Sequence, residues 1–144
     1  MAILQIITAP NPILEKKSAM VDTVDRNIQN LMNDMLSTMY DSQGVGLAAV
    51  QVGILKRVIV LDLQNDDESS RAKGFYPLFM ANPEIITQSE EMASAFEGCL
   101  SVPEQRIEVK RPGSIEVKFL DYDNKTRQLD AQGWLARAIQ HEID

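Results

Sequence analysis

Between residues 24 and 39, apolar side chains recur at steps of three and four positions, with polar residues between them. This spacing places the apolar side chains on one face of an α-helix. The members of the stripe are Val24, Ile28, Leu31, Met32, Met35, Leu36 and Met39. We predict an amphipathic helix of about 17 residues here, capped by Asp22 or Thr23 and packed on the core through its methionines.

The middle of the chain carries the short apolar and alternating patterns that are typical of β-strands. Residues 58–61 form a continuous apolar run, which predicts a buried strand. Residues 114–120 alternate between apolar and polar, and a turn at 121–125 leads to a return strand at 126–130, which predicts a hairpin. Further short strands are predicted at 78–81, 84–87 and 106–110, the first two separated by Asn82-Pro83, with an exposed polar loop at 64–73.

A helical pattern returns after Gly133 and runs from Trp134 to the end of the chain. The order of one helix, many short strands and one helix predicts the α+β class. We expect short antiparallel β-sheets packed around a C-terminal helix, together with an N-terminal amphipathic helix. The 144 residues are within the usual size of one domain.

Charge and cysteine content exclude several classes of function. The net charge of −7 argues against a broad electrostatic surface for nucleic acid. The single cysteine, Cys99, cannot form an intramolecular disulfide, which fits a reducing compartment. The first residues lack the features of a secretory signal, and no apolar run reaches the roughly 18 residues that a membrane span needs. We expect a cytoplasmic protein that binds neither membranes nor nucleic acid directly.

Residues 44–51, with the sequence GVGLAAVQ, form a glycine-bracketed apolar segment that contains one polar side chain, Gln51. Glycine permits backbone shapes and close approaches that other residues resist. Phosphate binding does not fit, because the segment lacks Gly-Lys-Ser/Thr and does not follow a strand. A plain loop-to-strand connection is an equal alternative to a functional role for this segment alone.

The last five residues, QHEID, contain the only histidine of the chain, His141, and a glutamate directly after it, Glu142. This pair is the first half of H-E-x-x-H, in which two histidines one helical turn apart bind a metal. The second histidine would occupy position 145, one residue after Asp144. A helix ending here has no glycine cap and places carboxylates at its negative end. We therefore expect that the parent protein continues and that this single domain, residues 1–144, is truncated within the motif.

Cys99 and His141 each have a simple structural explanation when taken alone. A single cysteine is most often a small buried apolar residue, and a single histidine usually packs with a hydrogen-bond partner. Their neighbours favour a metal site instead. Glu97 can orient a thiolate at Cys99. His141 shares a helix face with Trp134 and Ala138, so we expect it to point toward the buried interior.

Three segments resemble, in order, the three motifs of the peptide deformylase family: GVGLAAVQ at 44–51, EGCLS at 97–101 and QHEID at 140–144. The opening APNPIL at 9–14 is similar to the proline segment near the start of that family, so the resemblance runs the length of the chain. Val50 stands where many members have proline, and the second histidine of the third motif is absent.

The resemblance implies a metal-dependent hydrolase that removes the formyl group from the N-terminal formylmethionine of newly made polypeptides. It implies one divalent metal ion, natively Fe2+, with Zn2+, Ni2+ or Co2+ able to substitute, held by Cys99, His141 and the absent histidine. Water bound to the metal would attack the formyl carbon, with Glu142 as general base. The side-chain amide of Gln51 and the backbone N–H of Leu100 would stabilise the oxyanion.

The resemblance also implies a surface that binds the substrate. Val45 and Gly46 would pair with the substrate backbone as a strand pairs with a sheet edge. The full set of implied substrate-binding residues is Val45, Gly46, Glu97, Gly98, Arg106, Trp134, Arg137 and Ala138. Simpler roles exist for some of them, namely an exposed strand position for Arg106 and helix packing for the last three. The implied partner is the formylated N-terminus of a nascent peptide, with transient ribosome association; the oligomeric state stays open.

Two other functions are open at this point. A zinc peptidase built on H-E-x-x-H would explain His141 and Glu142, but it has no use for Cys99. A catalytically impaired or non-catalytic deformylase-like domain would explain the absent ligand, because two ligands are expected to hold a metal weakly.

Overall fold

The computed structural model describes residues 3–8, 12–63, 77–99 and 102–143. Within them the elements are α1 (Arg26–Asp41), β1 (Gly46–Ala48), β2 (Val58–Leu61), β3 (Leu78–Gln88), β4 (Met92–Cys99), β5 (Val102–Pro112), β6 (Ser114–Leu120), β7 (Thr126–Gln132) and α2 (Gly133–Ile143). Short 3₁₀ turns lie at Pro12–Glu15 and Ala49–Val52. The antiparallel strands and the C-terminal helix confirm the predicted α+β class, whereas the loop predicted at 64–73 lies outside the described residues.

The described strands form two antiparallel sheets. The larger sheet has the order β1-β2-β3-β6-β7, so that β1 and β7 stand at its two ends. The smaller sheet pairs β4 with β5 over most of their length, from Met92 opposite Pro112 to Cys99 opposite Val102. Helix α2 contacts β1, β2, β5, β6 and β7, and it therefore lies where the two sheets meet.

Strand β2 is apolar at every position because both of its faces are buried. Val58 and Val60 pack in the cluster that includes α1, whereas Ile59 and Leu61 pack in the cluster that includes α2. Side chains alternate between the two faces of a strand, so a strand covered on both sides needs an unbroken apolar run. The larger sheet is thus sandwiched between α1 and α2, and the prediction of a buried strand at 58–61 is confirmed.

Helix α1 begins two or three residues later than the sequence pattern predicts. Its cap is Asp25, whose carboxylate accepts a hydrogen bond from the backbone N–H of Ile28 at 3.0 Å, so the prediction of Asp22 or Thr23 as the cap is wrong. Val24 lies outside the helix because its N–H donates to the side-chain oxygen of Asn124 at 2.8 Å. The buried residues of the helix are Ile28, Met32, Met35, Thr38 and Met39.

Strand β3 continues through Asn82-Pro83, where two separate strands were predicted. Its pairing with β6 changes register between Ala81 and Glu84, which marks a bulge. Asn82 adopts a φ of 51°, and its amide both accepts from the N–H of Val21 and donates to the carbonyl of Val21, each at 2.7 Å. The Asn82 side chain replaces the missing ladder bonds, and the strand therefore bends instead of ending.

The hairpin predicted from β6 to β7 is confirmed, and the side chain of Asp121 organises its turn. One carboxylate oxygen of Asp121 accepts from the backbone N–H groups of Asp123 and Lys125, each at 2.9 Å. The other oxygen pairs with Nε of Arg127 at 2.8 Å. Burial opposes ionisation of Asp121, but these hydrogen bonds outweigh it and hold the pKa of the carboxyl below its ordinary value.

Helix α2 begins directly after β7, at a residue whose backbone conformation favours glycine. Gly133 has a φ of 59°, and its N–H donates to the carbonyl of Gly113 in the turn between β5 and β6, at 3.2 Å. Within the described part of the chain, neither helix has the length and apolar character needed to cross a bilayer.

Candidate functional site

The glycine-bracketed segment at 44–51 forms an edge strand followed by a tight turn. Gln51, at the end of this segment, is only 6% exposed. Its Oε1 accepts a hydrogen bond from the backbone N–H of Ala48 at 2.9 Å. Because the partner is a donor, the oxygen end of the amide must face Ala48, and the direction of the Nε2 end is fixed as a result. This bond holds the side chain of Gln51 across the 3₁₀ turn, which fits a structural cap as well as a functional amide.

The end of α2 is anchored by the residue that precedes His141. Nε2 of Gln140 donates to the carbonyl of Pro112 at 3.0 Å and to that of Ala136 at 3.1 Å. The first bond ties the last turns of the helix to the end of β5. The positions of His141 and Glu142 are therefore fixed relative to both sheets.

His141 is half-buried, and Ala138 on the same face of α2 packs against the core, so the expectation that His141 points toward the buried interior stays a prediction. The fully buried apolar face of α2 consists of Leu135, Ala136 and Ile139, whereas Ala138 and His141 lie together on a half-buried face. A half-buried imidazole is more accessible to a ligand than one in the core.

The carboxylate of Glu142 packs directly against the backbone of β1. Glu142 is 8% exposed. A β-carbon placed on Gly46 would lie 3.0 Å from Oε2 of Glu142, 3.1 Å from its Cγ and 3.2 Å from its Cδ. Only glycine permits this approach without a shift of the carboxylate. The contact brings together the first and third sequence segments, which lie about a hundred positions apart.

Val45 precedes β1 and borders the same edge. Its side chain is 48% exposed, and its carbonyl accepts a hydrogen bond from the N–H of Asp62 at 2.8 Å. This bond extends the β1–β2 ladder by one residue pair beyond Gly46 and Leu61. The start of β1 therefore lies next to both the exposed apolar side chain of Val45 and the carboxylate of Glu142.

The second sequence segment is described only in part. Cys99 ends β4, opposite Val102, and Gly98 lies opposite Arg106 in the ladder with β5. Leu100 lies outside the described residues, as do the side chains of Glu97, Cys99 and Arg106. The convergence of Cys99 with His141, and the roles of Leu100, Glu97, Gly98 and Arg106, therefore stay predictions.

The remaining predicted residues belong to α2. Arg137 is 7% exposed, and Ala138 packs against the cluster between the sheet and α2. The side chain of Trp134 lies outside the described part of the chain. Burial of the Arg137 and Ala138 side chains fits both a pocket wall and plain helix packing.

The donor atoms available for a metal are a thiolate and an imidazole, which is a set that Fe2+ and Zn2+ both accept. His141 supplies the imidazole from a half-buried face, beside the buried carboxylate of Glu142. Among the residues that the structure describes, no three histidine, cysteine, aspartate or glutamate side chains come together in one group.

Comparison with known proteins decides the family of this chain. The sequence model of the family Polypeptide deformylase matches residues 3–144. The chain belongs to the polypeptide deformylase family. Peptide deformylase 1 of Rickettsia conorii is 56% identical to it over 144 residues, which covers the whole chain and 82% of that protein.

The fold agrees with solved deformylase structures. The peptide deformylase of Ehrlichia chaffeensis superposes with a TM-score of 0.91 at 42% identity, over 99% of this chain and 82% of that one. The same enzyme in complex with actinonin gives a TM-score of 0.93 at 44% identity, over 100% and 83% of the two chains. The enzyme of Thermotoga maritima gives 0.89 at 35% identity, over 100% and 91%.

Membership in the deformylase family settles the class of activity. The family consists of metal-dependent hydrolases, which decides against a zinc peptidase. The alternative of an impaired or non-catalytic domain finds no support in these comparisons, because the relatives that match over the whole chain are peptide deformylases. Which metal the protein uses is a separate question.

Sequence reasoning on this deformylase missed one pair of residues at the edge of the site. The phenolic hydroxyl of Tyr40, near the end of α1, donates a hydrogen bond to a carboxylate oxygen of Asp62, which follows β2. Burial first, and then the hydrogen bond and the charge of Asp62, raise the pKa of Tyr40 to about 12. No spacing rule connects a helix end with a strand end 22 positions later, so the pair emerges only in three dimensions.

Proposed function

We propose that this protein is a peptide deformylase that hydrolyses the formyl amide of N-terminal formylmethionine on newly made polypeptides. The reaction breaks the C–N bond of the formyl amide and releases formate and a free amine. The observation that carries the proposal is the contact between the Glu142 carboxylate and the backbone of Gly46 on an edge strand. It supports a role for Glu142 as a general base beside a surface that suits an extended peptide.

Strand β1 is the proposed docking edge for the substrate. It pairs with β2 on one side and stands at the end of the sheet order. An extended peptide that adds to such an edge gains backbone hydrogen bonds, which do not depend on its sequence. Val45 and Gly46 would supply these bonds, and the exposed Val45 side chain would shield them from water.

Glu142 is the proposed general base. It takes a proton from the attacking water and later delivers it to the departing amine, as a single positioned carboxylate can do. Its contact with Gly46 fixes the distance between the base and a peptide docked on β1. Burial excludes competing water from the carboxylate.

Two hydrogen-bond donors are proposed to stabilise the negative charge on the formyl oxygen. One is Nε2 of Gln51, whose direction follows from the bond between its Oε1 and the N–H of Ala48. The other is the backbone N–H of Leu100. Donors fixed in advance in a site with little water lose no energy to reorientation during the reaction.

Cys99 and His141 are the proposed ligands of one divalent metal ion. We propose Fe2+ as the native ion and Zn2+, Ni2+ or Co2+ as substitutes, since each accepts sulfur and imidazole nitrogen. When bound, the cation supplies Lewis acidity toward the formyl oxygen and the attacking water.

The proposed partner is the formylated N-terminus of a nascent chain, met in the cytoplasm during transient association with the ribosome. Glu97, Gly98 and Arg106 are proposed to contact the substrate from the β4–β5 side. Trp134, Arg137 and Ala138 are proposed to border the pocket for the methionine side chain.

Formate release from a formyl-methionyl tripeptide by the metal-loaded protein tests the proposal. Glu142→Gln should lower kcat by about 10²–10⁴-fold, which is the range of general acid–base catalysis, with the metal content unchanged. The matched control is Glu91→Gln, at an exposed position before β4, which should retain full activity. Wild-type protein that releases no formate, or a Glu142→Gln variant as active as the control, would contradict the proposal.

A further inference from the structure

The segment between α1 and β1 is held at both of its ends. On the helix side, the N–H of Gln43 donates to the carbonyl of Tyr40 at 3.0 Å, and the N–H of Gly44 donates to that of Met39 at 2.9 Å. Gln43 has a φ of 60°, a conformation in which the chain turns sharply away from the helix. On the strand side, the carbonyl of Val45 accepts from the N–H of Asp62.

The hydrogen bond from Tyr40 to Asp62 closes these contacts into a ring. Asp62 uses its backbone to hold Val45 and its carboxylate to accept from the Tyr40 hydroxyl. Tyr40 uses its carbonyl to hold Gln43. The same two residues therefore fix both ends of the connection that leads into β1. With a pKa of about 12, the Tyr40 phenol keeps its proton, and so its role as donor, throughout the neutral range.

Both side chains lie outside the apolar core. Tyr40 is 38% exposed and lies near the last residue of α1, at the surface. Asp62 is half-buried beyond the last residue of β2. Removal of the hydroxyl leaves the apolar core intact, and its principal effect falls on the position of Val45 and of the edge that follows it.

We infer that Tyr40 and Asp62 are positioning residues that hold Val45 and Gly46 in the register that a substrate backbone needs to pair with β1. The inference rests on the proposed function of β1 as the docking edge. It also predicts that the effect of Tyr40 and Asp62 on substrate binding depends on substrate length, because a peptide that extends past its first residue contacts more of β1 than formylmethionine alone.

The test measures kcat and KM for Tyr40→Phe on a formyl-methionyl tripeptide and on formylmethionine. For the tripeptide we expect KM to rise about 3- to 10-fold, the range of one net hydrogen bond, with kcat changed less than about twofold. For formylmethionine we expect a smaller rise. Bound metal per chain should equal that of the wild type.

Four further variants separate positioning from general loss of structure. Asp62→Ala should repeat the effect of Tyr40→Phe, and the double variant should be no worse than either, since both changes break one bond. Asp62→Asn keeps an acceptor oxygen and should restore most of the affinity. The control is Tyr122→Phe, which removes a hydroxyl that accepts from Asn33 elsewhere on α1 and should leave KM unchanged.

A measurement that is independent of turnover completes the test. Amide hydrogen exchange at Asp62, whose N–H donates to Val45, should be about 3- to 10-fold faster in Tyr40→Phe, while the amides of α2 exchange as before. If Tyr40→Phe is active and both its KM and the exchange rate of the Asp62 amide are unchanged, the inference is overturned and the proposed function still stands. Equal loss on both substrates would also overturn the inference. Wild-type protein that cleaves neither substrate would instead overturn the proposed function, and the positioning role with it.

Discussion

The tight approach of Glu142 to Gly46 makes one substitution especially informative, Gly46→Ala. Positive φ angles among the described glycines occur at Gly53 and Gly133, so backbone strain is not an obstacle at position 46. The obstacle is steric. The new methyl group would lie 3.0 Å from Oε2 of Glu142, where ordinary contact begins at 3.4 Å.

The size of the effect follows from what has to move. The neighbouring atoms belong to a flexible side chain, so the carboxylate can retreat by about 0.4 Å while the backbone stays in place. We therefore expect the free energy of unfolding to change by less than about 1 kcal/mol. A misplacement of about 1 Å at a reacting group costs on the order of 10²-fold, so we expect a shift of about 0.4 Å to lower kcat by about 3- to 10-fold.

Formate release and thermal unfolding, measured on the same preparations, test this expectation. Gly113→Ala is the matched control, because a β-carbon there would lie 3.7 Å from the carbonyl of Glu91 and 4.0 Å from Oγ of Ser89, which is ordinary contact. In a Glu142→Gln background, Gly46→Ala should add little, because the group that it displaces no longer acts as a base. A Gly46→Ala variant with wild-type kcat, or one that loses activity equally in both backgrounds, would refute the steric argument.

Three more predictions follow from individual side chains. His141→Ala should weaken the affinity for the metal at least about 10- to 100-fold, because losses of that size are known for residues that only support a metal ligand. Stoichiometric metal in this variant by elemental analysis would contradict the assignment of His141 as a ligand. Ultraviolet titration of the wild type should show one tyrosine that ionises near pH 12, and this transition should be absent in Tyr40→Phe. The stability contributed by the bond from Tyr40 to Asp62 is present below about pH 10 and is lost as the pH rises through about 12. Asp121→Ala should cost about 1 kcal/mol at pH 7, chiefly through the lost turn hydrogen bonds because Arg127 is 58% exposed, and the difference from wild type should shrink as the pH falls below about 4. A pH-independent difference in denaturant unfolding would argue against it.

Much of the fold could be predicted because periodic patterns report which faces are buried. The apolar run at 58–61 and the alternation at 114–120 each correspond to a strand in the structure. The cap of α1 and the bulge at Asn82 could not be predicted in the same way. Asp22, Thr23 and Asp25 are all capping residue types within four positions, and the bond from Val24 to the distant Asn124 helps to fix where the helix begins, whereas the bulge depends on the pairing of the Asn82 amide with the backbone of Val21.

The candidate site shows the same division between local chemistry and long-range geometry. The family resemblance of the motifs that contain Gln51, His141 and Glu142 predicts hydrolytic chemistry from the sequence alone. The contact of Glu142 with Gly46 and the bond of Tyr40 to Asp62 join positions that no local pattern relates. Sequence motifs indicate which groups react, whereas packing decides which backbone atoms they face.

The brevity of β1 has a consequence for the behaviour of the protein at high concentration. A long, flat, open strand invites the same strand of another molecule, and growth into fibres can follow. Here the end of the sheet offers three residues, from Gly46 to Ala48, before the chain curls into a 3₁₀ turn. An edge strand of this length would offer a substrate peptide a few backbone hydrogen bonds. Three residues are too few for stable pairing with β1 of a second molecule, so this edge can stay unpaired without promoting aggregation.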